Sequence, residues 1–79
     1  MNHIPPSRFA MEVKDELEMA RNKHPSACHS LHEGYAVLLE EVLEVQAEVF
    51  RKITNLNAVR AELVQVAAMA QRMAEDLGL

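Results

Sequence analysis

From Ser30 to Leu77 apolar residues recur every three or four positions, and the pattern breaks only once, at "TNLN". That spacing lines them along one stripe of an α-helix, and no stretch shows the period-two alternation of a half-buried strand. Ser30 opens "SLHE", a capping-box pattern, so a long helix is expected from there to about Thr54. The asparagines of "TNLN" favour a turn and a cap. A last helix then runs from about Asn57 to Leu77, rich in good helix formers, with Gly78 as its stop. Upstream, Ser7 is placed to cap a shorter helix in which Phe9, Val13, Leu17 and Ala20 recur to about Asn22, and "KHPSACHS" reads as a loop. The expected fold class is all-α: a short N-terminal helix plus an antiparallel helical hairpin in one domain over 1–79, with residues 1–6 as a mobile lead-in.

Size then limits what such a chain does alone. At 79 residues, a domain buries only about 60% of the surface its unfolded chain exposes, so its core is marginal. The one cysteine, Cys28, has no internal partner for a disulfide, which leaves oligomerisation as the expected way to complete the core. A lone thiol also suits a reducing, cytoplasmic setting. Acidic residues outnumber basic ones twelve to eight, for a net charge of −4, and no basic stripe forms. A nucleic-acid polymer is therefore a poor partner. The start "MNHIPPSRF" lacks the pattern of a signal peptide, and no run approaches the roughly 20 apolar residues that span a bilayer, so neither export nor membrane insertion is expected.

The long helix carries an unusual polar side. Glu40, Glu41, Glu44 and Glu48 fall within an arc of roughly 100°, with Leu38, Leu39, Val42, Leu43, Val45, Val49 and Ile53 on the opposite side. A solvated acidic face is one reading. Against it, Glu40/Glu44 and Glu44/Glu48 are like-charge pairs four apart, each costing about 0.2–0.5 kcal/mol, and wet faces usually interleave lysine.

The last helix gives the second reading its support. Val59, Val66, Met69, Met73 and Leu77 form an apolar stripe with Glu62 in its middle and Gln65 at its edge, while Arg60 and Arg72 point away from that stripe. A carboxylate in such a place must be paired, protonated or bound to a cation. If the two long helices pack antiparallel, Glu41 and Glu44 face Glu62, and a hard, all-oxygen donor set suits Mg²⁺, with Mn²⁺ as a substitute.

"EEVLE", followed after seventeen residues by "ELVQ", resembles the E-E-x-x-E and E-x-x-D signature of the MazG-like, all-α nucleoside triphosphate pyrophosphohydrolases. "HEGYAVLLEEV" and "VQVAAMAQRMAEDL" are also similar to the small phage and bacterial members, so the resemblance spans about Ser30 to Leu77. It implies that Glu41, Glu44 and Glu62 hold Mg²⁺ and that Glu40 assists catalysis as a further ligand or by positioning the attacking water. The nucleoside triphosphate leaves as monophosphate and pyrophosphate. Gln65 stands where the family has Asp; its amide can lend an oxygen to the metal but adds no charge. The alternative is a MazG-like interaction module without catalytic activity.

Other residues carry weaker signals. Tyr35 either stacks on a nucleobase or anchors the helix start, and Lys52 is one of several bases available for phosphate. His24, Cys28, His29 and His32 lie close together in sequence, but their spacing matches no common zinc pattern.

Overall fold

A computed structural model describes residues 5–79, and the first four residues of the expected mobile lead-in lie outside them. The described residues form three helices and no strand: α1 (Arg8–Lys23), α2 (Leu31–Val49) and α3 (Leu56–Asp76). The all-α expectation holds.

Each helix begins at the polar side chain the sequence offers. The Ser7 hydroxyl accepts from the Ala10 amide, and that of Ser30 accepts from Glu33. Asn55 accepts from both Asn57 and Ala58. These bonds satisfy amides that a helix start leaves without an intrahelical partner. α3 ends in a Schellman motif: Gly78 turns to φ 70°, so that Leu79 N–H reaches the Ala74 carbonyl at 2.9 Å.

α2 is shorter than its apolar pattern suggests, ending at Val49 rather than near Thr54. Asn55 must be extended (φ −104°, ψ 107°) to cap α3, so the chain has to leave the helical region before it. Phe50 makes that departure, and the Arg51 amide tightens the last turn onto Glu48. Ile53 is consequently off the helix and 85% exposed.

α3 packs against both other helices, whereas α1 and α2 do not pack on each other. Gly34 meets Met73 while Glu44 and Glu41 meet Glu62, so α2 and α3 run antiparallel, as expected. α1 runs parallel to α3, since Glu12 pairs with Arg60 and Arg21 with Asp76. The buried apolar core, Val13, Leu17, Val64 and Ala68, lies in this α1–α3 seam with Phe9 and Ala67 against it. Arg60 stacks over the Phe9 ring at 5.5 Å.

The lower end of the α1–α3 seam is ionic. Arg72, only 8% exposed, donates to the carbonyls of Ala20, His24 and Ser26 and lies 3.6 Å from Asp76. It closes the C-terminal end of α1 and ties down the following loop. Asp76 in turn accepts from Arg21 at 2.7 Å and from the Cys28 amide at 3.0 Å, and those donors hold its carboxyl down to about 2.

Among the described residues, four buried apolar side chains make a thin core. The Cα radius of gyration is 14.1 Å, and the extents are 41 × 39 × 21 Å. A compact chain of this length has a radius near about 12 Å, so the three helices form a flattened layer. Large apolar side chains stay at its surface, including Phe50 at 80% and Leu56 at 78% exposure.

Candidate metal centre

The amphipathic pattern of α2 suggests that its apolar side faces inward. The structure places it otherwise: Leu39, Val42, Leu43 and Val49 are exposed, and the only buried residue of α2 is Gly34. A Cβ on Gly34 would lie 2.7 Å from Met73 Cγ, so the absence of a side chain is what lets α2 approach α3 this closely. With that contact set, the edge of α2 bearing Glu41, Val45 and Glu48 turns toward α3, where these three are half-buried.

The approach brings the carboxylates together. One oxygen from each of Glu41, Glu44 and Glu62 lies within 4.8 Å of the others. Glu41 and Glu62 are half-buried and Glu44 is exposed, so the group opens to solvent on the Glu44 side. The Oε2 atom of Glu62 is fully buried and has no hydrogen-bond partner among the described residues. Arg60 is engaged with Glu12, and Arg72 with α1 and Asp76, and among the described residues no guanidinium pairs with the three carboxylates.

Proximity and burial together disfavour the ionised forms. Glu62 is raised above the ordinary carboxyl range, first by a hydrogen bond with Glu44 that favours its protonated form, then by burial and the charges of Glu44 and Glu48. Glu41 is raised chiefly by burial, and then by Glu44, Glu62 and Glu40. In the absence of a cation, such a site relieves its repulsion by holding protons. A divalent cation relieves it more fully, and three carboxylates with no imidazole or thiolate form a donor set for a hard ion. The orphaned Oε2 of Glu62 fits that use.

The remaining site candidates lie around the trio. Glu40 is exposed one residue from Glu41, and Glu48 forms an ion pair with Arg51 at 3.1 Å. Gln65 is half-buried one turn beyond Glu62 and lines, together with Glu41, a cavity of about 390 Å³ between α1 and α2. Tyr35 stands exposed on the outer side of α2, and Lys52 is exposed in the α2–α3 connection; neither lines this cavity. His24, Cys28, His29 and His32 do not converge into a ligand group.

Two elements around the site escape a sequence reading. Arg72 sits where the pattern shows a solvated base, and only its three carbonyl partners reveal a structural role. The cavity is the other, since it exists only because α1 and α2 stand apart on α3. Comparison of the chain with protein-family models, curated proteins and solved structures finds no match.

Proposed function

We propose that the chain is a Mg²⁺-dependent pyrophosphohydrolase that cleaves a nucleoside triphosphate to monophosphate and pyrophosphate, in the manner of the MazG-like enzymes its acidic signature resembles. The observation that carries this reading is the convergence of Glu41, Glu44 and Glu62 around a buried carboxylate oxygen that no donor among the described residues satisfies. These three residues would hold the ion. When bound, Mg²⁺ supplies Lewis acidity toward phosphate oxygens and neutralises their charge; Mn²⁺ supplies the same. Glu40, exposed one residue from Glu41, would orient a water and accept its proton. Lys52, exposed in the α2–α3 connection, remains a candidate contact for the phosphates, whereas Tyr35 stands on the outer side of α2 away from the trio.

The working form is a homodimer or homotetramer in the cytoplasm. Leu31, Tyr35, Leu39, Val42, Gln46 and Val49 share an arc of roughly 80° on the outer side of α2, and that arc carries no formal charge. Covering it with a second copy gives the thin layer the bundle core it lacks. The same exposed face favours a second reading, a helical interaction module without chemistry. Pyrophosphate release separates the two. The enzyme reading expects Mg²⁺-dependent release from the native chain, abolished by Glu41→Gln and by Glu62→Gln while circular dichroism and oligomeric state stay unchanged. Equal activity in those variants would rule out the assigned site.

A further inference from the structure

α1 and α2 both rest on α3 without packing on each other, and the cavity of about 390 Å³ between them is walled by all three helices. Met19, Val37, Ala68 and Met69 supply the apolar part of the lining, Gln65 and Glu41 supply polar groups on the α3 and α2 walls, and the α1 end is charged, with Lys23 and Glu16. Glu41 belongs to both the cavity and the trio, so a molecule seated in the cavity has its far end beside Glu44 and Glu62.

Gln65 is the informative residue. Its carboxamide makes no hydrogen bond to another described residue, although its side chain is half-buried at the cavity wall. A free primary amide presents an adjacent donor and acceptor, the arrangement that pairs with the donor–acceptor edge of a nucleobase. The surroundings suit a flat ring: thioethers of Met19 and Met69 pack well against aromatic faces, and the volume lies within the range of small-molecule sites. A fourth metal ligand needs none of these features.

Resting on the pyrophosphohydrolase reading, we infer that the α1–α2 cavity seats the nucleobase of the substrate and that Gln65 reads the edge of that base rather than ligating the metal. The triphosphate then extends past Glu41 to the carboxylates, and the neutral side chain at position 65 is a specificity determinant.

The test compares the native chain with Gln65→Leu, which keeps the bulk and removes the amide, and with Val37→Phe, which narrows the cavity from the half-open α2 wall. Three probes are used: Mn²⁺ alone, Mn²⁺ with inorganic tripolyphosphate, and Mn²⁺ with the α,β-imido analogues of the common nucleoside triphosphates. Both variants are expected to bind Mn²⁺ and tripolyphosphate within about twofold of the native chain while losing about tenfold or more in affinity for the preferred analogue. Loss of Mn²⁺ and tripolyphosphate binding in Gln65→Leu would overturn the inference and make Gln65 a metal ligand. Unchanged analogue binding in both variants would overturn it as well. A native chain that binds Mn²⁺ but neither tripolyphosphate nor any analogue would instead overturn the nucleotide reading on which the inference rests.

Discussion

Replacing Glu62 with glutamine in metal-free buffer should stabilise the fold. Glutamine has nearly the same shape, so the substitution removes charge without opening a cavity. The carboxylate oxygens of Glu41 and Glu44 lie within 4.8 Å of that of Glu62. Two unit charges at that separation repel by about 0.9 kcal/mol in water and about 3.5 kcal/mol at an effective dielectric constant near 20. Glu44 is exposed, which pulls the value toward the lower limit, and partial protonation of the trio lowers it further. Relief of both pairs therefore comes to about 1–2 kcal/mol near neutral pH, or a rise of roughly 4–15 °C in Tm for a domain of this size. Thermal unfolding followed by circular dichroism in the presence of a chelator measures it directly. Saturating Mg²⁺ should reverse the order, because the native chain gains the linkage energy of a bound ion and the variant gains little. A Glu62→Gln protein that melts below the native chain in chelator would refute the reasoning, since the carboxylate would then have a stabilising protein partner.

Three further outcomes follow from the same structure. Arg72→Ala should destabilise by about 3 kcal/mol, because it strips the C-terminal end of α1 of its donor and leaves the carboxylate of Asp76 with one fewer cation; urea denaturation checks it, and a loss below about 1 kcal/mol would contradict the role given to Arg72. Gly34→Ala trades a gain of helix propensity against a Cβ that would lie 2.7 Å from Met73 Cγ and 2.9 Å from Sδ, so a net loss of about 1 kcal/mol is expected. Met73→Ala in the same chain should cancel the clash in a double-mutant cycle. Stability in chelator should also depend on pH with a definite sign. Glu41 and Glu62 are raised in the folded state from 4.5, so their protons favour the fold at mildly acidic pH, and stability falls as pH rises through the raised values. Asp76, lowered from 3.8 to about 2, acts in the other direction: its contribution is complete above its unfolded value and is lost as pH falls toward about 2. Denaturation midpoints should therefore peak at mildly acidic pH, and Mg²⁺ should flatten the decline on the neutral side.

Helix existence was legible because it rests on local chemistry. Ser7, Ser30 and Asn55 accept from the first-turn amides, and Gly78 takes the left-handed turn, as their residue types suggest. The convergence of Glu41, Glu44 and Glu62 was legible too, because an antiparallel hairpin and a carboxylate inside an apolar stripe leave few other arrangements. Orientation was not. An amphipathic stripe indicates which residues avoid water, but it does not say whether the chain or another copy covers them, and on α2 most of the apolar stripe is exposed. The end of α2 was misplaced because apolar spacing continues through Ile53, whereas the extended cap at Asn55 forces the chain out of the helix. Arg72 was missed because a buried guanidinium has the same sequence signature as a solvated one until its carbonyl partners are known.

The most direct test of the metal centre is electron paramagnetic resonance of Mn²⁺ titrated into the native chain and into Glu62→Gln, without nucleotide, so that no assumption about the base enters. One bound ion per chain, lost in Glu62→Gln, is the result that the converging carboxylates require. Absence of binding to the native chain, or binding that Glu62→Gln leaves intact, would contradict the assignment of Glu41, Glu44 and Glu62 as a cation site.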